Sequence, residues 1–501
     1  MRKEGLRTGR GRNRWILAAA MGAGLISTAL PVVAQQQPVV LERELKMKVK
    51  GPFTVAVVGD LNYVHPVAGL ADPDVQRALE IIRDADVAFA NMESNILDML
   101  QYSGPITGDP GPKEIAADVK AMGFDIVSRA NNHTTEGGAA GMFETNRWLE
   151  SVGIAHAGSG RNLEEARAAQ FVETSKGRVG LVSMASIGSP ASSGGNAATY
   201  RLGNVGGLPG LNPMRVTMFQ IVTPEQLAQL RTMRDAAYAH RTEVTNPVPP
   251  IPANEPQDRV QLSRVGGWFK AGNTPGGLSF EMNPDDLKQI LRSIRNGKEL
   301  SDYMVVGIHS HEDDSSLKLL YFSEVPTDFL IELAHKSIDN GADVFVGEGV
   351  HVLRGIEIYK RKPIFYGLQS FTYQLNQMVA PLARYMNEGE NPFTTEMTDA
   401  EANWKYWDSF ARPRMIQDNM DSLIGECRYE GGRLVEIRLH PIDMGYNAPL
   451  SQQGIPRIPT PENAQRILEK VQRLSKALGT TIAVEGNIGI IRLSEGPARE
   501  P

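Results

Sequence analysis

Residues 126–138 read IVSRANNHTTEGG, and the expected fold follows from how this stretch changes character along its length. A short apolar run, Phe124 to Val127, stops at Asn131-Asn132-His133, and Gly137-Gly138 leads into a helical pattern. This order predicts a strand, a tight polar turn and a helix. Several other parts of the chain repeat it, each with an apolar run that ends on a residue able to bind a metal.

Strands and helices are expected to alternate through most of the chain. The predicted strands are Thr54–Val58, Val87–Ala90, Phe124–Ser128, Arg178–Met184, Tyr303–Ile308 and Asp343–Val346. Hairpins expected at Gly355–Leu368 and Asp421–Leu439 argue for mixed sheets. The pattern therefore predicts an α/β fold, for which an αββα four-layer sandwich with mixed sheets is the expected arrangement.

Two helices carry clear start signals. Asn283 as the cap and Pro284 in the first turn begin one helix, which Asn296-Gly297 is expected to end. Thr460 and Pro461 begin a second in the same way. Residues from about 190 to 280, rich in Gly, Ser, Ala and Pro at their start, interrupt the alternation and are expected to form an insertion.

The first 34 residues are expected to be a signal peptide. Six basic residues precede the apolar run Trp15–Leu30, and Val32-Val33-Ala34 fits a small-residue cleavage site that ends at Ala34. The alternative is a retained membrane anchor, but a run of about 16 residues is shorter than the ~20 that a spanning helix needs. We therefore expect export by the general secretory route to the periplasm, the cell envelope or the medium.

The net charge and the single cysteine exclude some kinds of partner and of stabilising bond. Without residues 1–34 the chain carries 46 Lys and Arg against 57 Asp and Glu, a formal net charge of −11. This acidity argues against nucleic acid as a partner. Cys427 is the single cysteine, so an exported chain has no internal disulfide and must rely on its core or on bound metal. Cys427 itself is interpreted as a small buried hydrophobic residue.

Five predicted strands end on candidate metal ligands. These are Asp60, Glu93, Asn132 with His133, His309 with His311, and Glu348 followed by His351. In open α/β sheets, sites form outside the carboxyl ends of the strands, so these residues are expected to converge. Oxygen and imidazole ligands suit Zn, Mn or Fe, and two carboxylates can bridge a pair of ions that activates water.

Each of these residues also has an interpretation without function. Asp60 after Gly59 can cap a turn, Glu93 can face solvent, and Asn132 can adopt a left-handed turn conformation. His309 and His311 point to one face only if the strand continues through both. The remaining histidines are interpreted as core or surface residues: His65, His156, His240, His335 and His440.

Six motifs in a fixed order carry a resemblance to a known family. They are VAVVGD (Val55–Asp60), ANMES (Ala90–Ser94), ANNHTTEGG (Ala130–Gly138), LPGLNPMR (Leu208–Arg215), IHSHED (Ile308–Asp313) and GADVFVGEGVHVLRGIEIYKRKPIFYGLQSF (Gly341–Phe371). From about Thr54 to Phe371 the chain resembles the CapA family, also called PgsA, of poly-γ-glutamate capsule biosynthesis proteins.

The resemblance implies a calcineurin-like metallophosphatase domain at residues 51–372, followed by an α+β extension at 373–501 that completes or packs on the core. It implies metal-type positions at Asp60, Glu93, Asn132, His133, His309, His311 and His351. The chain also departs from the family. Glu348 stands where the family usually has histidine, Glu136 where it has aspartate, and Gln369-Ser370 where it has Gly-Asn.

The first functional hypothesis is an exported CapA-like protein with a metal-dependent hydrolase site for an amide or a phosphoester. The metal ligands would be Asp60, Glu93, Asn132, His309 and His351, with Glu348 as a replacement ligand, for one or two ions of Mn, Fe or Zn. The catalytic residues would be His133, His309 and His311, with His133 either orienting the site or acting as general acid.

The second hypothesis is a non-catalytic envelope protein that binds or helps export an anionic polymer, because fold alone does not fix function. Basic residues for polymer contact would be Arg354, Lys360, Arg361 and Lys362, which equally suit a solvated hairpin turn. The expected partners are an anionic polymer or a small amide or phosphoester substrate, together with membrane partners of capsule synthesis.

Overall fold

A computed structural model of the protein describes most of the chain. The described residues are 44–105, 110–189, 195–241, 255–263, 266–313, 323–374, 397–398, 400–401 and 420–493. The signal peptide predicted at residues 1–34 lies outside them. Among the described residues, no helix is both long enough and apolar enough to cross a bilayer.

Strands and helices alternate, as the sequence pattern predicts. The strands are β1 Phe53–Asn62, β2 Val87–Met92, β3 Asn95–Leu97, β4 Pro110–Pro112, β5 Ile126–Ser128, β6 Ala155–Ala157, β7 Ser159–Gly160, β8 Gln170–Thr174, β9 Gly177–Ile187, β10 Gly210–Leu211, β11 Pro213–Val222, β12 Arg259–Ser263, β13 Gly266–Ala271, β14 Leu278–Met282, β15 Tyr303–His309, β16 Val344–Glu348, β17 Ile356–Tyr359, β18 Lys362–Phe365, β19 Thr372–Tyr373, β20 Asp421–Glu430, β21 Arg433–Asp443, β22 Ala483–Glu485 and β23 Ile488–Arg492. The helices are α1 Pro73–Arg83, α2 Glu114–Met122, α3 Gly138–Ser151, α4 Leu163–Arg167, α5 Pro224–Arg241, α6 Pro284–Glu299, α7 Asp328–Asp339 and α8 Pro461–Lys476.

The first sheet has the order β22-β23-β21-β20-β1-β2-β5-β6, and β19 also pairs with β1. Strands β1, β2, β5 and β6 run parallel to their neighbours in that series. The C-terminal part of the chain adds β20 antiparallel to β1, then β21, β23 and β22. Residues on both sides of position 373 therefore share one sheet.

The second sheet has the order β12-β13-β11-β9-β15-β16-β18-β17, with β8 and β14 paired to β9 and β11. Its centre, β9, β15, β16 and β18, is parallel. The segment expected as an insertion contains β10 to β14 and α5, and β11 to β14 extend one edge of this sheet. The prediction of mixed α/β sheets is confirmed.

Buried apolar side chains form three main clusters that account for the layering. One lies between the first sheet and helices α1, α2 and α3, and includes Ala56 and Leu79. A second joins the two sheets to each other, with Val57 and Phe89 from one and Val305 from the other. A third lies between the second sheet and helices α6 and α7. Each sheet thus buries both faces, which explains why its central strands are almost continuously apolar.

The helix start signals are correct. The Asn283 side chain accepts hydrogen bonds from the backbone N–H groups of Asp285 and Asp286, and Thr460 accepts from Asn463. The expected end at Asn296-Gly297 is wrong, because α6 continues to Glu299. Gly297 is instead a packing position: an added Cβ would lie 2.8 Å from the Ala169 Cβ, so the helix needs a glycine there to approach its neighbour.

Strand β1 is longer than predicted. Gly59-Asp60 does not form a turn, since β1 continues to Asn62, with a shift in register against β2 between Val57 and Asp60. At this bulge the backbone of Gln369 crosses so closely that a Cβ on Gly59 would lie 1.9 Å from the Gln369 carbonyl oxygen. Asp60 is therefore held inside a buried strand rather than on a surface loop.

The Gly59→Ala variant should lose stability, because the clash is with backbone that cannot rotate away. We expect a loss of at least about 1–3 kcal/mol in the free energy of unfolding, the usual cost of overpacking, measured by denaturant titration. Gly69→Ala is the matched control, since a Cβ there meets nothing within 4 Å. Equal stability of the two variants would contradict the close crossing at Gly59.

Candidate metal centre

The carboxyl ends of five parallel strands, three from the first sheet and two from the second, meet in one buried region. Strand β1 carries Asp60 and β16 ends on Glu348, while β15 ends on His309. Glu93 follows β2, and the Asn132-His133 pair follows β5. Three overlapping groups have ligand atoms within 4.8 Å of one another: Glu93, His309 and His311; Asp60, His309 and Glu348; Asp60, Glu93 and His351.

Glu93 Oε1 lies at the centre of this arrangement. Its distances to imidazole nitrogens are 3.5 Å to His309 Nε2, 3.7 Å to His133 Nε2 and 3.9 Å to His351 Nε2. These separations are too long for good hydrogen bonds. They suit groups that share an ion, since each ligand atom lies about 2.0–2.2 Å from a bound Zn²⁺. The space between Glu93 and the imidazoles is therefore the candidate position for a metal.

Several buried oxygens of the site have no hydrogen-bond partner among the described residues. They are Glu93 Oε1 and both carboxylate oxygens of Glu348, and Asn132 Oδ1 on the loop after β5 is likewise without one. Buried polar atoms are nearly always satisfied in folded proteins, so each exception needs an explanation. Buried oxygens without hydrogen-bond partners, together with nearby imidazole nitrogens, fit the ligand set of a divalent transition-metal ion.

The carboxylates of the site have pKa values that are shifted in opposite directions. Burial raises the pKa of Glu93 and of Glu348, and the negative charge of Asp60 raises both further. Burial also acts to raise the pKa of Asp60, but the imidazoles of His309 and His351 outweigh it and hold that pKa well below its ordinary value. Burial lowers the pKa of His311 well below the usual range. Such opposed shifts in one cluster are typical of functional sites.

His309 and His311 reach the same space although β15 ends at His309. Their Nε2 atoms lie 3.0 Å apart. The turn between them is anchored by Glu312, which is fully buried and accepts hydrogen bonds from the hydroxyls of Ser189 at 3.0 Å and Ser310 at 2.9 Å, as well as from Ser186. The expectation that both histidines need a continuous strand is wrong, because this anchored turn directs His311 inward.

Arg129 is a positioning residue that sequence reasoning missed, although it stands inside the IVSRANNH stretch. Its fully buried guanidinium donates to the Met92 carbonyl at 2.6 Å and to Asn95 Oδ1 at 2.8 Å, on either side of Glu93. Asn95 in turn donates to the His133 carbonyl at 2.6 Å. Burial lowers the pKa of Arg129 to about 9. The buried Arg129 guanidinium, through Asn95, thus holds the loop that carries Glu93 against the loop that carries His133.

A chain of amides holds Asp60. Asn131 Nδ2 donates to Asn91 Oδ1 at 3.0 Å, and Asn91 Nδ2 donates to Asp60 Oδ1 at 2.8 Å. Asn91 Nδ2 also lies 3.2 Å from His309 Nδ1. Of the two adjacent asparagines, Asn131 is therefore used for positioning, while Asn132 keeps an oxygen with no hydrogen-bond partner among the described residues.

The backbone is strained where His351 enters the site. His351 has φ +53°, a conformation that residues other than glycine rarely adopt, and Gly349 has φ +92°. The Gly349 N–H donates to Asp60 Oδ2 at 3.2 Å, and a Cβ on Gly349 would lie 2.8 Å from the His309 ring. His351 Nδ1 lies 3.4 Å from Asp60 Oδ2. The strain is the cost of bringing this histidine against the carboxylate.

His133 has a carboxylate partner of its own. Its Nδ1 lies 2.7 Å from Glu136 Oε2, so the other nitrogen faces Glu93. A histidine oriented in this way can hold a proton at the edge of the site or release it.

Four of the remaining histidines lie outside the cluster, namely His65, His156, His335 and His440. Among the described residues, His156 pairs with Glu150, His440 pairs with Glu426, and His335 pairs with Glu357. His65 is exposed and His240 lies in α5. Cys427 is a buried free cysteine, as predicted. Arg354 is only 1% exposed, so its interpretation as a polymer contact is wrong.

Comparison with known proteins identifies a family for this chain. The chain matches the family described as bacterial capsule synthesis protein PGA_cap over residues 54–374. It is 37% identical to the uncharacterized protein y4sH of Sinorhizobium fredii over 454 residues, which cover 88% of this chain and 93% of that one. It is 36% identical to the capsule biosynthesis protein CapA of Bacillus anthracis over 110 residues, 22% of this chain and 24% of CapA. A crystal structure of a hypothetical protein from Thermus thermophilus matches with a TM-score of 0.36 and 13% identity, covering 78% of this chain and 99% of that one, which is too weak to support an argument.

Metal removal should destabilise the wild-type chain. An ion that binds only the folded state stabilises it by about 2.7 kcal/mol at 100 times its dissociation constant, so a chelator should lower Tm. In Glu93→Gln, which loses the charge that faces three imidazoles, Tm should change little on chelation.

The control for this experiment is His335→Gln. His335 bonds to Glu357 and stacks on Tyr359 away from the cluster, so this variant should respond to chelation like the wild type. A metal-supplemented wild-type chain with the same Tm before and after chelation would contradict the metal centre.

Proposed function

The chain belongs to the bacterial capsule synthesis protein PGA_cap family, that of CapA/PgsA, and we propose that it is an exported, metal-dependent hydrolase within that family. The proposed fold is the calcineurin-like metallophosphatase four-layer αββα sandwich, for which the three apolar clusters provide support. The observation that carries the proposal is Glu93 Oε1, buried, without a hydrogen-bond partner among the described residues and faced by three imidazoles.

The proposed ligands for one or two Mn, Fe or Zn ions are Asp60, Glu93, Asn132, His309, His351 and Glu348. When bound, such ions supply Lewis-acid activation of water and of the group under attack. His309 and His311 face the same space and orient the reacting group. The amide chain through Asn91 fixes Asp60, and Arg129 fixes the loop of Glu93, so the protein holds its ligands in place before substrate arrives.

His133 is proposed as the general acid. Glu136, 2.7 Å from its Nδ1, keeps the other nitrogen turned toward Glu93. From there the ring can give a proton to the leaving nitrogen or oxygen of an amide or phosphoester. The anionic polymer poly-γ-glutamate is the proposed substrate class for amide cleavage, with membrane proteins of capsule synthesis as partners.

The scaffold hypothesis remains the alternative, but the geometry gives it less support. Of the basic residues named for polymer contact, Arg354 is buried, Lys360 bonds to Asp339, and Lys362 bonds to Asp343. Three of the four positive charges are therefore engaged within the protein. Arg354 is therefore withdrawn from polymer contact, and the hairpin offers fewer unpaired positive charges than its sequence suggests.

His133→Gln should lower kcat by about 10²–10⁴-fold, the usual contribution of a general acid, while the metal content stays at the wild-type level. The assay uses residues 35–501 loaded with Mn²⁺, Fe²⁺ or Zn²⁺. Its substrates are bis(4-nitrophenyl) phosphate, γ-glutamyl-4-nitroanilide and poly-γ-glutamate. Glu136→Gln should show a smaller loss in kcat, because the ring keeps its place but loses its carboxylate.

His335→Gln again provides the control and should keep wild-type turnover. A wild-type chain that holds metal but cleaves none of these substrates, and yet binds poly-γ-glutamate, would contradict the hydrolase and favour the scaffold.

A further inference from the structure

Glu348 is a buried carboxylate of the candidate metal centre, and its surroundings indicate a function. It ends β16 directly beside His309 of β15 in the parallel register. The side chain is 2% exposed. It occupies room left by Gly307, where a Cβ would lie 3.1 Å from Glu348 Oε1. The carboxylate is thus accommodated in the floor of the site and shielded from solvent.

Neither oxygen of this carboxylate makes a well-formed hydrogen bond in the described part of the chain. The nearby Ser128 hydroxyl, 2.5 Å from Ser183 Oγ, offsets the burial of the carboxylate only in part, since the pKa of Glu348 is still raised well above its usual range. Burying a carboxylate without a compensating partner is costly, so a purely structural role does not explain Glu348.

The position of Glu348 does suit a metal ligand. One of its oxygens lies within 4.8 Å of ligand atoms of both Asp60 and His309. With Asp60 and Glu93 it makes three buried carboxylates in one cluster. Three carboxyl groups in so small a space are costly to ionise together, and a divalent cation compensates their charge.

We propose that Glu348 makes this centre an oxygen-rich site, shifted toward Mn²⁺ and away from Zn²⁺ relative to a site with histidine at the same position. The inference rests on the proposed function, since it concerns the metal of that same site. Carboxylate oxygen is a ligand that Mn²⁺ favours, whereas imidazole suits Zn²⁺. The shift is in the ratio of the two affinities, because most sites of this kind bind Zn²⁺ more tightly in absolute terms.

A second prediction distinguishes a role of Glu348 as a metal ligand from a purely structural role. In the metal-free chain the buried Glu348 carboxyl beside Asp60 is costly to hold, so the isosteric Glu348→Gln should make that form more stable. The same change should weaken binding of both ions. A residue with a structural role would lose stability when replaced and leave metal affinity unchanged.

The test uses residues 35–501 freed of metal and then offered equal concentrations of Mn²⁺ and Zn²⁺, with bound metal measured by mass spectrometry. The ratio of bound Mn²⁺ to Zn²⁺ should fall in Glu348→His, because imidazole favours Zn²⁺. Metal-free Glu348→Gln should unfold at a higher temperature than the metal-free wild type. Glu426→Gln, at a half-buried carboxylate that hydrogen-bonds His440, should match the wild type in the ratio of bound ions and should not raise the unfolding temperature of the metal-free chain.

An unchanged ratio in folded Glu348→His would overturn this inference alone. If that variant fails to fold, Glu348→Gln decides: full affinity for both ions would overturn the inference, and reduced affinity with a more stable metal-free form would support it. A wild type that binds neither ion would overturn the inference together with the proposed function.

Discussion

Burial of three carboxylates where two sheets meet is the constraint on which the rest of this structure depends. Asp60, Glu93 and Glu348 are each at most 2% exposed. Carboxylates without compensation are among the most costly groups to bury. The two sheets nonetheless pack face to face through a shared apolar cluster, and that packing closes their carboxyl ends around the acidic groups. The fold therefore places carboxylates where burial is costly. The imidazoles offset this cost in part, and a bound cation would offset it fully.

Much of the surrounding polar structure serves to hold this arrangement. Arg129 joins two loops that carry site residues, Asn91 fixes Asp60, and Glu312 anchors the turn that directs His311 inward. The positive φ of His351 adds backbone strain at the same place. Backbone strain of this kind costs stability and is typical of sites where the positions of a few side chains matter for function.

The sequence predicts the parts of this site that follow from local pattern. Apolar runs that end on Asp, Glu or His place candidate ligands at strand ends, and parallel strands bring such ends together. Asn283 and Thr460 correctly predict the starts of their helices, because a cap residue bonds only to its near neighbours in sequence. The roles of Arg129 and Glu312 could not be predicted in this way, since their partners come from other strands. The same reason explains Gly59 and Gly297, which mark close approaches of distant backbone and side chains rather than turns.

The central claim is that the buried cluster binds a transition metal, and metal content tests it most directly. Residues 35–501 would be purified without chelators or a histidine tag and measured by mass spectrometry beside Asp60→Ala. The account predicts about one or two equivalents of Mn, Fe or Zn in the wild type and their loss in the variant. A folded wild-type chain that holds no metal, even after these ions are added, would contradict it.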